Sequence, residues 1–254
     1  MRFSLAWALA ALWTLHAPAQ AGESCPDTRQ EIDTDRPDVT NSSLVVPTGS
    51  LQAENGITWT GGRGAALDGP DSRVRLGLAP CTEILVDLPD YSRPLSRAGA
   101  EGTSDIAPGI KRQIEALPDG MAASAVAGLL LPTGSTRISG RGYGSYIQVP
   151  WSQEIAENWK VEAMPTTFWL PGRGNRLAEE ATLSLAREAG PDADVFFEYV
   201  GDHRPHEGLR SSLNFGGGYR ITRTQQVDVH VGYDLSTPGP FFGIGYSLRF
   251  DDLF

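Results

Sequence analysis

Four charged residues crowd one short stretch near the N-terminal end of the chain: Asp33, Asp35, Arg36 and Asp38. Three carboxylates and a guanidinium at that density can pair with opposite charges elsewhere, and they can leave water only if they do. A second constellation is Asp228 and His230, two residues apart in a stretch where alternate side chains share a face. Glu180 or Glu198 could face them as well. Hydrolase chemistry would need a serine nucleophile and an oxyanion hole, with His230 as base. Ser184, Ser212 and Ser247 take like-facing positions, but no motif selects one. Ion pairing explains the same residues more simply, so no catalytic residue is assigned. His203 and His206 fall between strands and need no special role. Cys25 and Cys81 are the only cysteines, and no histidine lies near either in sequence. A disulfide is therefore expected and a metal site is not.

The elements that must position these groups are strands. After about residue 50 the chain breaks into short segments in which every second residue is apolar, the mark of a half-buried strand. Leu209, Leu213, Phe215, Tyr219 and Ile221 lie on one face, with Arg210, Ser212, Asn214, Gly216, Gly218 and Arg220 on the other. Val227, Val229, Val231 and Tyr233 alternate with Gln226, Asp228, His230 and Gly232, and Phe242 to Phe250 repeats the pattern against Gly243, Gly245, Ser247 and Arg249. Weaker copies precede these, for a total of about twelve strands, an even number as single-chain outer-membrane barrels require. The stretch 121–131 hardly alternates, and Pro165 predicts a bulge because it removes a ladder hydrogen bond.

A soluble β-sandwich would alternate too. The segments run to about ten residues or more, the length a tilted membrane strand needs, against five or six for soluble strands. Charge sits in mid-strand on the polar face at Lys160, Glu162, Glu180, Glu198, Asp228 and Arg249, which suits a wet lumen. Trp59, Tyr143, Trp151, Trp159, Trp169 and Tyr233 gather near strand ends, where an interfacial girdle would lie. The expected fold is all-β: a closed antiparallel transmembrane barrel of about twelve strands over 50–254, preceded by a periplasmic or lumenal segment over 22–49. Short turns are expected near 79–82, 117–120, 155–158, 188–192 and 222–224. Longer outside loops are expected at 62–72, 90–103, 132–142, 171–176 and 202–208, with a short one at 235–238.

Arg2, the apolar run 3–15 and the small-x-small site Ala19-Gln20-Ala21 read as a secretory signal over 1–21. About thirteen apolar residues cannot span a bilayer, which takes about 20. Secretion places the barrel in a Gram-negative-type outer membrane, with outer-membrane lipid as its solvent. The last strand, ending in the aromatic Phe254, is what the barrel-insertion machinery would receive. A formal charge of −10 excludes nucleic acid as a partner. No nucleotide loop or energy-coupling box is present, so neither a cofactor nor active transport is expected.

Residues 32–40, IDTDRPDVT, followed by VVPTG at 45–49 and the strand LQAENGITWT, resemble the opening of the family named for a MetA pathway of phenol degradation. The similarity continues through RLGLAPCTEILVDLP (75–89), SDIAPGIKRQI (104–114), LLLPTGS (129–135) and the closing pattern of 217–250. That resemblance implies an outer-membrane barrel passing small, often hydrophobic or aromatic, molecules.

In this topology Asp33, Asp35, Arg36 and Asp38 have two readings. They enter the lumen as a partial plug whose carboxylates meet inward arginines such as Arg75, Arg210 or Arg249, or they form a solvated periplasmic lead-in. Cys25 and Cys81 both fall on the periplasmic side, where disulfides persist, and their bond would tie the segment to the first inside turn. Twelve strands lie between side-chain-filled eight-stranded barrels and water-filled porins. The inward Gly216, Gly218, Gly232, Gly243 and Gly245 leave space on one wall. A narrow passive path for a small-molecule solute is the expectation. A non-conducting structural or enzymatic barrel is the competing class.

Overall fold

The computed structural model describes residues 25–95, 99–139, 142–171, 177–205 and 207–254. The expected signal segment at 1–21 and His206 lie outside the described residues. Among the described residues, fifteen strand segments form one sheet. The first seven are β1 (Leu51–Thr60), β2 (Ala66–Ala79), β3 (Thr82–Asp87), β4 (Tyr91–Pro94), β5 (Gly102–Thr103), β6 (Ala107–Gln113) and β7 (Met121–Leu130). Then come β8 (Gly144–Gln148), β9 (Trp151–Ala156), β10 (Trp159–Trp169), β11 (Leu177–Glu188) and β12 (Ala193–Arg204). The last are β13 (Gly208–Thr222), β14 (Gln225–Asp234) and β15 (Gly239–Phe250).

Three staves are interrupted. β3 continues as β4 along β2, β5 and β6 share one line, and β8 and β9 share another between β7 and β10. Fifteen segments thus make a closed antiparallel barrel of twelve staves. It closes because β1 pairs on both sides: Leu51 to Thr60 against Phe250 to Phe241 of β15, and Leu51 to Thr60 against Leu76 to Ala66 of β2. Closure at β1 removes the two long free edges of an open sheet, which hydrocarbon could not hydrogen-bond.

Period-two alternation sets the faces. Ile57, Leu183, Phe197, Phe215, Val229 and Ile244 are exposed on the outside, while Gln52, Glu54, Arg75, Glu83, Lys111, Glu198, Asp228 and Arg249 are buried inside. Apolar outside and charged inside is the facing pattern of outer-membrane barrels. The stretch 121–131 also resolves, with Ala122, Ser124 and Val126 turned inward and Ala125, Ala127 and Leu129 outward.

Several expectations need correction. The loop expected at 62–72 is short, because β2 begins at Ala66 and extends the first hairpin above the barrel. β4 and β5 do the same within the expected loop 90–103. Pro165 makes no bulge in β10, which runs unbroken against β11. The interruption falls in the facing stave, at Val149 and Pro150 between β8 and β9, where the missing N–H of Pro165 would have donated. Trp151 is no girdle residue. It lies mid-stave at the start of β9, across from Ala123 and Ala163. The last strand stops at Phe250, and the exposed Phe254 lies beyond it, where the Leu253 N–H bonds the Gly49 carbonyl.

Much of the interior is filled. Leu85, Ala107, Val126 and Tyr146 form an apolar cluster on the inner wall of β3 and β6–β8, with Leu130 and Phe168 packed against it. Residues 25–50 occupy much of the rest, entering from the end that carries the short turns. Cys25 and Cys81 are disulfide-bonded with Cα atoms 4.9 Å apart, which pins the start of this segment to the β2–β3 turn.

Candidate functional site

The lumenal segment has no regular secondary structure, so its backbone polar groups must find partners on the wall. The inward strand residues supply them. The Val46 N–H donates to Glu83 at 2.6 Å, the Thr40 N–H to Glu198 at 2.8 Å and the Asp35 N–H to Glu54 at 3.0 Å. Side chains add Asn41 to Gln148 at 3.1 Å and Ser43 with Ser152 at 2.7 Å. Anchors on β1, β3, β8, β9 and β12 carry the segment across the full width of the lumen.

Asp35 is the electrostatic centre of that crossing. Its carboxylate accepts from Arg73 at 2.9 Å and lies 3.4 Å from both Arg75 and Lys111. Arg75 also holds Glu83 at 2.9 Å and Glu54 at 3.1 Å. Arg75, Lys111, Glu54 and Glu83 are fully buried, so each charge depends on the others. Burial alone would raise the Asp35 carboxyl, but Arg75, Lys111 and Arg73 overcome it and hold the group well below the usual carboxylate range. Glu54, Glu83, Arg73 and Lys111 were not singled out from sequence. Their inward parity on β1–β3 and β6 was the available signal.

Arg36 reaches the neighbouring wall, pairing with Asp71 of β2 at 2.7 Å and with Asp228 of β14 at 3.4 Å. It fits because Gly56 and Gly245 have no side chain, and a Cβ on either would crowd its guanidinium. Likewise Gly243 leaves room for the His230 ring and Gly232 for Phe241. The inward glycines were expected from their size to leave space on this wall, but they do not open a path there. They seat Arg36, His230 and Phe241. His230 Nδ1 lies 2.7 Å from the Pro37 carbonyl, a contact in which the ring donates.

Asp38 faces the third wall, β10 and β12, near Glu162, Glu198 and Lys160. Burial pushes its carboxyl well above the ordinary value, and the charges of Glu198 and Glu162 push it further. Beside it opens a cavity of about 780 Å³ lined by the lumenal segment and by β9–β13, extending to Glu157 and Asn158 at the turn end.

Residues 34–250 match the family model described as "Putative MetA-pathway of phenol degradation". The chain belongs to that family. Its barrel is similar to an outer membrane channel from Pseudomonas putida F1, at 12% identity and a TM-score of 0.63 over 85% of this chain and 99% of that one. It is also similar to the KdgM porin (10% identity, TM-score 0.57, 78% and 99% covered) and the NanC porin (11%, 0.57, 78% and 98%). At such identities the likeness is one of fold. No curated protein matches the chain.

In this phenol-degradation-family barrel the remaining sequence candidates scatter. Arg249 supports the segment through the Gln30 and Glu31 carbonyls and pairs with Asp251. Arg210 does not meet the segment. It sits half-exposed at the other end of the barrel, near Glu207 and Asp234. Neither Glu180 nor Glu198 meets Asp228 or His230: Glu180 lies across from Asp202, and Glu198 binds Thr40. Ser184, Ser212 and Ser247 make no hydrogen bond to His230 among the described residues.

Proposed function

We propose that this chain is an outer-membrane channel that passes small solutes passively, with residues 25–50 acting as a partial plug. The observation that carries the reading is the combination of an apolar outer face with a charged lumen holding a cavity of about 780 Å³ beside the segment. That volume falls in the range of small-molecule sites. Phe196, Val195, Ile155 and Leu44 on its wall suit the small hydrophobic or aromatic solutes the family description suggests.

In this reading residues 1–21 direct export and are removed, the turn end faces the periplasm, and lipid surrounds the outer face. The insertion machinery receives the C-terminal strand through Phe250 and Phe254. The chain is not an enzyme. Planar-bilayer recording of protein purified from outer membranes tests the proposal: reproducible, solute-sensitive conductance supports it. Electrical silence, with the barrel intact on heat-modifiability gels, would favour a structural or enzymatic barrel.

A further inference from the structure

The cavity beside the lumenal segment carries unbalanced charge. Its cationic side chains are already engaged: Lys160 lies 2.8 Å from Glu162, Arg220 pairs with Asp194 at 3.0 Å and Glu31 at 2.6 Å, and Arg36 is committed to Asp71 and Asp228. Arg187, also on the lining, lies over the Trp159 ring. Asp33 and Asp38 face the same space with no cation at ion-pairing distance among the described residues. Glu162 on the cavity wall, and behind it Ser184 and Glu198, are successive cross-strand neighbours on the inner face of β10, β11 and β12. Within that row Ser184 is only 1% exposed and its hydroxyl has no hydrogen-bond partner. A buried polar group with no partner is uncommon and calls for a reason. Phe196, two residues before Glu198 on the same face, adds an aromatic wall to the cavity.

We infer that this cavity is a binding site for small organic cations, with an ammonium group held between Asp38 and Glu162 and an apolar or aromatic body against Phe196. The chemistry follows from the lining. Surplus carboxylate attracts a cation and repels an anion, an aromatic ring attracts a cation through its quadrupole, and the volume suits a molecule of this size. Burial and the charges of Glu198 and Glu162 hold the Asp38 carboxyl above its ordinary value, with Lys160 acting against them, and a bound cation favours its ionised form. Cation binding therefore expels a proton and strengthens as pH rises. The site rests on the channel reading only in lying on the solute's route.

The test uses the full protein purified from outer membranes in detergent at low salt, titrated calorimetrically with phenyltrimethylammonium and, separately, with benzoate. The cation is expected to bind and benzoate to give no heat. Glu162→Gln and Asp38→Asn should each weaken cation binding at least tenfold. Asp38 lies outside every strand, so its variant leaves barrel closure alone even if Glu162→Gln folds poorly. Equal binding of the two probes, no binding of the cation, or unchanged affinity in both variants overturns the assignment. Cation binding without conductance would sink the channel reading and keep the site; conductance without cation binding would do the reverse.

Discussion

Replacing Asp35 with asparagine removes one negative charge from a buried cluster that holds Arg73, Arg75 and Lys111. The amide keeps an oxygen that can accept from the Ser42 N–H, so the local turn retains that bond. What it loses is the attraction of three cations. Removing one partner of a buried ion pair costs about 3–5 kcal/mol. The lower end applies here, because Arg73 retains Asp87 and Arg75 retains Glu54 and Glu83. Those retained pairs belong to the wall, so the loss falls on docking of the segment rather than on closure of the barrel. A cost of about 3 kcal/mol shifts the docked-to-undocked equilibrium by about 150-fold. Hydrogen exchange read by mass spectrometry should show amides over 39–46 exchanging faster by that order, with β10–β14 peptides as internal controls. Solute flux into proteoliposomes should rise in parallel. Unchanged exchange and unchanged flux in a folded Asp35→Asn barrel would refute the reasoning.

Protection of the segment should also depend on pH, with two opposed contributions. The Asp35 carboxyl is lowered on docking, so its contribution is complete above about pH 4, the ordinary carboxylate value, and is lost as pH falls below that. The Asp38 carboxyl is raised, so its contribution is present below about pH 4 and is lost as pH climbs toward the raised value. After correction for intrinsic rates, wild-type amides over 36–42 should lose protection as pH rises above about 4, and Asp38→Asn should flatten that trend; a flat wild-type profile would contradict it. Cys81→Ser should release residues 25–31, at a cost of about 2–4 kcal/mol through the lost cross-link. Trypsin would then cut after Arg29 faster than in the oxidised protein, whereas equal cleavage rates would show that the disulfide does not hold the segment. Gly56→Val should drive the Arg36 guanidinium off Asp228, at about 1–3 kcal/mol as for other overpacked sites. An unfolding midpoint equal to that of the wild type would rule this out.

The sequence alone determined the faces of the sheet. Side-chain direction in a strand alternates with a period of two whatever the neighbours are, so Phe215, Val229 and Ile244 had to share a side, opposite Asn214, Asp228 and Ser247. It also determined that the two cysteines had no other thiol to meet. Parity does not give height or angle around a barrel, however, because those depend on shear and closure. Only the tertiary structure decided that Asp35 meets Arg75, Arg73 and Lys111 while Arg210 lies at the far end. Only closure brought Arg36 within 3.4 Å of Asp228, nearly two hundred residues away, and turned inward glycines from apparent space into seats for Arg36 and His230. The inward Leu85, Val126, Tyr146 and Phe168 show the same limit. Their direction was legible one strand at a time, but apolar groups become a core only when distant strands place them in contact, and that is a property of the closed barrel.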